Sequence, residues 1–555
     1  MRYRLKYRGI KEFLYHRIPI TIWLPQYSWI KFLQDTLAGI TVGLTVVPQG
    51  IAYAVVAGLP PHHGLYSSFM GCFVYLIFGS TSYVTVGPTA IMGLLTRIFV
   101  LKYGDDFAVL LTFFTGCLIT TMGLLHLGFL VNFISMPVIC GFTNAAAIII
   151  GTSQINDLLG ISGHNESFIK TIKTFVKNFN EIRLYDALLG TFSIIILIVL
   201  KNFPGNRLGN CLQKCMWLLC LAQNAIVVII GMFLTYCLSL YGFKPFKFIG
   251  MVKEGLPILA LPPIFTRYYN DTYNLLDIIN ILGSSIISAP LIAFLESIVI
   301  AKAFAKGKTV DANQEMIAVG LCNLFSSFVR SMPIAGSFTR SAINNISGVQ
   351  TPMGGLITGC FVLFVCSFLT KAFNFIPKAT LASVIIVAMY YMLEIRILRL
   401  LWQNKKFDLL VLLATLLSCL SFGLEIGMII GIITNILMIL YDTARPALII
   451  EERSVDDKMI LFVSPQQSLT FPSAEYIKQR VMTWSDLKKD INIIIIDGRN
   501  VNNIDSTVAK SFSSLFTDLK LRKQKLIFWN WHENICKILT AFNIIEESHF
   551  KTSSN

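Results

Sequence analysis

Apolar runs long enough to cross a bilayer recur along most of this chain, and a run of about twenty such residues has few options other than a membrane-spanning helix. "AVLLTFFTGCLITTMGLLHLGFLV" (108–131) and "WLLCLAQNAIVVIIGMFLTYCLSL" (217–240) are two of them, and they recur from residue 30 to residue 443. A single anchor needs one run, so the pattern predicts a polytopic α-helical membrane protein of the channel or transporter class. Composition agrees: 14% of residues are charged, against about a quarter in a soluble domain.

A net charge of +15 could suggest nucleic acid, but the cations lie in short segments beside the apolar runs. They are Arg2, Arg4, Lys6, Arg8, Lys11 and Arg17; Lys201, Arg207 and Lys214; Lys302, Lys306 and Lys308; and Arg396, Arg399, Lys405 and Lys406. That is the positive-inside bias, which places these segments in the cytoplasm and the partner as lipid bilayer, with no nucleic acid. The basic N-terminus lacks the short apolar core and small-residue cleavage site of a removable signal peptide, so the first span is expected to act as the signal. Most of the 12 cysteines sit inside spans without metal-site spacing, and Cys211 and Cys215 fall in a predicted cytoplasmic loop without His partners, so no metal or cofactor is expected.

The expected organisation is a cytoplasmic segment at 1–29, a transmembrane domain at 30–443, a charged linker at 444–458, an α/β domain at 459–547 and a tail at 548–555. In the α/β part, "MILFV", "INIIIIDGR" and "KLIFWN" read as buried strands alternating with amphipathic helices, which argues for a largely parallel sheet. About fourteen crossings fit the basic segments with both ends in the cytoplasm. Asn165 and Asn270, each in a glycosylation sequon, fall in the two longest loops, both predicted to lie outside, whereas Asn345 falls at membrane depth and is expected to stay unmodified. Two halves of about seven spans, near 30–241 and 276–443, have an odd count each, which forces the second half to be inverted; transporters so built place substrate at the midplane between broken helices.

Two segments are broken in the required way. "TSYVTVGPTAIMGLLT" (81–96) carries Gly87-Pro88 in mid-run, a pair suited to starting a short helix near Pro88, Thr89 and Ala90. "SMPIAGSFTRSAINNISGV" (331–349) is too polar to face lipid and holds Arg340, which at that depth costs about 2.5–3.5 kcal/mol unless it meets protein, water or an anion. Each helix N-terminus contributes about half a positive charge, so two facing starts plus one arginine sum to about +2 and suit a divalent oxyanion. A proline kink at Gly87-Pro88, and a snorkelling or carboxylate-paired Arg340, are the plainer alternatives.

"TVVPQGIAYAVVAGLPPHHGLYSSFMGCFVYLIFGSTSYVTVGPTAIMGLLT" resembles the first three spans of the SulP sulfate permease and anion exchanger family, and "FLESIVIAKAFAKGKTVDANQEMIAVGLCNLFSSF", "GSFTRSAINNISGVQTP" and "FIPKATLASVII" resemble its later spans. The C-terminal region resembles its STAS domain, and the "GPTAIM" and "ANQE" stretches resemble the sodium-independent branch. The resemblance implies two inverted seven-span repeats, a core domain moving against a gate domain, homodimerisation, and transport of sulfate with chloride, bicarbonate or oxalate as exchange partners. It implies substrate contacts at Gln49 and Tyr53; at Gly87, Thr89 and Ala90; and at Ser337, Phe338, Thr339 and Arg340, with Glu296 completing the pocket.

The residues allow the same reading and a plainer one. Gln49 and Tyr53 are four apart on one helical face and offer an amide and a phenol donor, although packing alone also explains them. Glu296 lies within a span, where desolvation favours its protonated form and a cation such as Arg340 its ionised form. Protonated, it leaves about +2 for sulfate; ionised, about +1 for chloride or bicarbonate, so proton-linked flux is expected, with a static Glu296–Arg340 pair as the alternative. In the STAS region Asp505 and Ser506 open a helix. The resemblance makes Ser506 a possible regulatory serine, but Thr507-Val508 replaces the motif's glycine and favours plain capping. An uncoupled anion channel on the same fold, and a membrane anchor for a signalling domain, are the competing functions. No enzyme is expected: adjacent His62 and His63 are poorly spaced for metal and are read as a loop between the first two spans. The plasma membrane is the expected location, with a lysosomal or other endomembrane as the alternative.

Overall fold

The computed structural model describes residues 17–129, 134–161, 168–202, 220, 222–241, 245–248, 255–268, 271–305, 309–455, 458–487, 491–541 and 550–551. Asn165, Asn270, Cys211, Cys215 and the basic residues at 2–11, 207, 214, 306 and 308 lie outside these ranges. Chain contacts divide the protein into two units, Met1–Ile432 and Ile433–Asn555.

The first unit is helical, with four short strands among the described residues; Thr266–Tyr268 and Asp271–Tyr273 form a hairpin of their own, and the other two belong to the elements named next. Its first half runs α1 (Trp29–Val56), α2 (Pro61–Phe78), β1 (Val86–Pro88), α3 (Ala90–Tyr103), α4 (Asp106–Leu124), α5 (Met136–Leu158), α6 (Leu184–Lys201) and α7 (Gln223–Leu240). The second half runs α8 (Ser285–Ala303), α9 (Ala312–Ser327), β2 (Ile334–Gly336), α10 (Phe338–Ile346), α11 (Met353–Phe368), α12 (Lys378–Met392), the short α13 (Ile395–Asn404), α14 (Lys406–Phe422) and α15 (Leu424–Ala444), the last of which crosses the division between the units. Among the described residues, eight helical stretches are long and apolar enough to cross a membrane.

The order helix, helix, strand, half-helix, helix occurs twice, and the strands from the two occurrences pair antiparallel with Val86 opposite Gly336, Gly87 opposite Ala335 and Pro88 opposite Ile334. Antiparallel pairing of equivalent strands is consistent with two repeats of opposite orientation. All six residues are buried, which is where irregular backbone survives at membrane depth: each strand satisfies polar groups that lipid could not.

Helices close on this ribbon through small residues. A Cβ at Gly116 of α4 would overlap the backbone of Leu324, and one at Gly320 of α9 would overlap that of Thr120, so only glycine lets α4 and α9 approach this closely. His62 and His63 correct the sequence reading: they form the first turn of α2 rather than a loop, because Pro61 has the backbone angle a helix start needs. His63 Nδ1 lies 2.7 Å from the Arg330 carbonyl oxygen and its Nε2 lies 3.7 Å from Asp105 Oδ2, an arrangement between protein groups with no metal geometry.

The second unit holds a five-stranded sheet in the order β3 (Leu448–Val455), β4 (Lys458–Pro465), β5 (Ile493–Asp497), β6 (Lys525–Trp529) and β7 (Phe550–Lys551), with β4 to β7 parallel and β3 antiparallel. Two strands lie where the sequence reading had none. The expected linker at 444–458 carries β3, whose acidic residues mask it: Glu451 and Glu452 are exposed, and its pairing with β4 comes from tertiary contact. The expected tail at 548–555 carries β7, held by the Phe550 ring 5.4 Å from that of Phe528. Helices α16 (Ala474–Leu487), α17 (Ser506–Leu521) and α18 (Glu533–Ala541) pack on a core that includes Ile494, Ile496, Phe512 and Phe528. Asp505 caps α17, its Oδ1 accepting from Val508 N at 2.9 Å, while Ser506 is an exposed first-turn residue.

Gly320→Val inserts a branched side chain against α4 and is expected to destabilise the membrane unit by about 1–3 kcal/mol. Thermal unfolding of the detergent-solubilised protein should show a lower midpoint; an unchanged midpoint would refute the close α4–α9 approach.

Candidate functional site

β1 runs into α3 and β2 runs into α10, so the antiparallel register, with Pro88 opposite Ile334 and Val86 opposite Gly336, sets the two helix starts at the two ends of one three-residue ribbon. Thr89 is the N-cap of α3: its Oγ1 accepts from Met92 N at 3.3 Å and donates to Glu296 Oε2 at 3.1 Å. Ala90, the first residue of α3, is buried. Ser337 is the N-cap of α10, but its side chain makes no capping bond and lies 3.3 Å from Thr339 Oγ1. The first amides of α10 therefore keep the donors that a helix start leaves over.

Arg340, in the first turn of α10, is fully buried. Its Nη1 donates to the Pro88 carbonyl oxygen at 2.7 Å, across the ribbon, while Nε and Nη2 have no hydrogen-bond partner among the described residues. Gly87 makes room for this: a Cβ there would stand 3.2 Å from Nη2. A buried cation without a counter-charge is costly, and a guanidinium with donors left over has the chemistry to donate hydrogen bonds to an anion's oxygens.

The other expected residues gather around it unevenly. Tyr53, buried on α1, and Glu296, half-buried on α8, both interact electrostatically with Arg340. No ion pair within 4.0 Å joins Arg340 to Glu296, so the static pair is not formed. Gln49, one turn before Tyr53, is buried with its Oε1 unpartnered. Phe338 is the outlier: it is 56% exposed, with its ring 5.3 Å from that of Phe304.

Residues that hold the ribbon were missed in the sequence. Asn323 of α9 donates from Nδ2 to Ile334 O at 2.9 Å and accepts at Oδ1 from Ile334 N at 2.9 Å, acting as an extra strand edge for β2. Ser297 Oγ accepts from Gly336 N at 2.9 Å, and Ser341 Oγ accepts from Thr85 N at 3.0 Å. The available signal was the cost of an amide inside the apolar stretch "LCNLF".

Two solved structures share this fold. The structure of SLC26A9 matches with a TM-score of 0.82 at 19% identity, covering 98% of this chain and 92% of that one. The transmembrane domain of the cyanobacterial bicarbonate transporter BicA matches with a TM-score of 0.59 at 19% identity, covering 74% of this chain and 98% of that one. A sulfate permease family model matches residues 32–415 and a STAS domain model matches residues 453–555. The class is thus a multi-pass membrane transporter for anions, and not an enzyme. The sodium-independent sulfate anion transporter of Bos taurus is 38% identical over 96% of this chain and 90% of its own length. The chloroplastic sulfate transporter 4.1 of Arabidopsis thaliana is 30% identical over 98% and 82%. The chain belongs to the sulfate permease family.

Asn323→Leu leaves the Ile334 N–H and C=O unpaired in a dry interior at about 1–3 kcal/mol each. Transport should fall at least tenfold at unchanged surface expression, with Asn323→Gln worse than wild type because the longer amide cannot reach both groups. Wild-type transport by Asn323→Leu would show that the amide does not hold the strand.

Proposed function

We propose that this chain is a sodium-independent, secondary active sulfate transporter that binds its anion between the start of α3 and the start of α10. The observation that carries this reading is Arg340: buried, anchored to β1 by one donor and left with others unpaired. Thr89, Ala90, Ser337, Phe338 and Thr339 would contribute at the two helix starts, Gly87 would leave space beside the guanidinium, and Gln49 and Tyr53 would close the pocket from α1. The name of the bovine relative supports sulfate and sodium independence.

Glu296 is the proposed coupling group. Glu315, a fully buried carboxylate on α9, is occupied by the Tyr75 hydroxyl at 2.7 Å and by Ser80, whereas Glu296 has a single hydrogen bond among the described residues, from Thr89, and interacts electrostatically with Arg340. Protonation of Glu296 removes a negative charge from the pocket and favours a dianion; ionisation favours a monoanion or an empty return. Acid outside therefore drives sulfate inward, by symport with a proton or by exchange for chloride, bicarbonate or oxalate.

The remaining elements of the reading are an elevator-like motion of a core against a gate, fourteen crossings in two inverted halves within 30–443, cytoplasmic termini, a homodimer formed through membrane and STAS domains, and a plasma-membrane or endomembrane location. Glycosylation at Asn165 and Asn270 and a regulatory role for Ser506 belong to the same reading.

Radiolabelled sulfate uptake into proteoliposomes, with pH and trans-chloride varied separately, tests it. Arg340→Ala should abolish saturable uptake while the protein folds and inserts normally; wild-type affinity in that variant would disprove the site. Glu296→Gln should transport sulfate without pH dependence, and an intact pH profile would remove Glu296 from the coupling role.

A further inference from the structure

The ten residues of α13 are too short to cross a bilayer, at about 15 Å of helix against about 30 Å of hydrocarbon. The helix is nevertheless tied between two apolar helices, starting after a two-residue break that follows α12 and stopping at Lys405, whose φ of −145° separates it from α14. Its start is pinned to α5: Glu394 N donates to Asn144 Oδ1 at 2.8 Å and Cys140 Sγ donates to Glu394 Oε2 at 3.1 Å. The extended backbone at Leu393 and the breaks at Glu394 and Lys405 free so short a helix from continuing the apolar stretch before it, so it can lie along the membrane surface.

Its outward side has an unusual composition. None of its residues is buried, and Ile397, Leu398 and Leu401 form the more shielded face. Ile395, Arg399 and Trp402 follow one another at intervals of four and three, so they share a stripe. Ile395 and Trp402 are 63% and 65% exposed, and Arg399 between them is exposed, as are Arg396, Lys405 and Lys406. None of these four cations forms an ion pair among the described residues. Exposed apolar residues elsewhere, such as Ile426, Ile429 and Ile433 on α15, lie on a helix that carries no basic residue.

We infer that α13 is an interfacial helix that docks on the headgroups of anionic phospholipids. Ile395 and Trp402 enter the boundary between headgroups and acyl chains, and Arg396, Arg399, Lys405 and Lys406 engage lipid phosphates and carboxylates. Charge complementarity selects the occupant: an apolar protein partner would leave the four unpaired cations without counter-charge, while an anionic leaflet supplies one for each. The assignment to the cytoplasmic leaflet rests on the topology proposed above; the lipid chemistry does not.

Hydrogen–deuterium exchange of the full-length protein in nanodiscs tests this, comparing phosphatidylcholine alone with discs containing about 30 mol % phosphatidylserine. Both disc faces carry the lipid, so the readout is independent of orientation. Exchange across 395–404 should slow by about fivefold for each engaged arginine in anionic discs, and the difference should shrink at high salt. Arg396→Gln with Arg399→Gln should abolish the difference, whereas Arg396→Lys with Arg399→Lys should retain most of it. Equal exchange in the two discs, protection already complete in the neutral disc, or a lipid effect that survives the double glutamine variant would overturn the proposal, the second outcome pointing to a protein occupant. Binding of radiolabelled sulfate by the same preparations separates the two ideas: intact sulfate binding without lipid dependence refutes this surface alone, and lipid dependence without sulfate binding refutes the transport reading alone.

Discussion

Antiparallel pairing of Val86–Pro88 with Ile334–Gly336 is the interaction on which the membrane unit depends. A helix broken inside a bilayer exposes backbone groups that lipid cannot satisfy, so a single break would be unstable. Two breaks facing each other can satisfy one another, and here they do. The same pairing sets the starts of α3 and α10 at the two ends of one short ribbon, and it brings Arg340 within reach of the Pro88 carbonyl. Asn323, Ser297 and Ser341 then hold the outer edges of the ribbon, so the irregular backbone is enclosed by side-chain hydrogen bonds as well as by apolar packing.

The charge distribution follows from that geometry. Two helix starts and a guanidinium are all positive, and they are concentrated in a region where the dielectric gives little relief. Among the described residues one carboxylate, Glu296, acts on Arg340, and it bonds to Thr89 rather than pairing with the guanidinium. Such a centre is short of negative charge, which is what the proposed site needs if it is to take up and release an anion, and what a structural salt bridge lacks. A permanent ion pair would neutralise the arginine and remove its reason to bind; a coupling carboxylate held a short distance away can bias the site without filling it.

Much of this was legible in the sequence because misplaced residues at membrane depth are expensive. Gly87-Pro88 and the polar stretch around Arg340 stand out against apolar runs, and each marks a real break. The pairing between them was not legible, since three-residue strands carry no periodicity and their partners lie some 250 residues apart. Asn323 was hidden as one amide among apolar neighbours whose target is backbone. Strand β3 was hidden for the opposite reason, its glutamates resembling a solvated linker, and β7 is too short to show a pattern at all. His62 and His63 looked like loop residues because the prolines before them can either end one segment or begin the next.

The central claim is that an oxyanion sits between the two helix starts on the unpaired side of Arg340. The most direct measurement is a structure of the protein with selenate, located by its anomalous scattering. The account predicts a single selenium peak within hydrogen-bonding reach of Arg340 Nη2 and the first amides of α10, close to Thr89. A peak elsewhere in the membrane unit, with the Arg340 donors still unpaired, would contradict it.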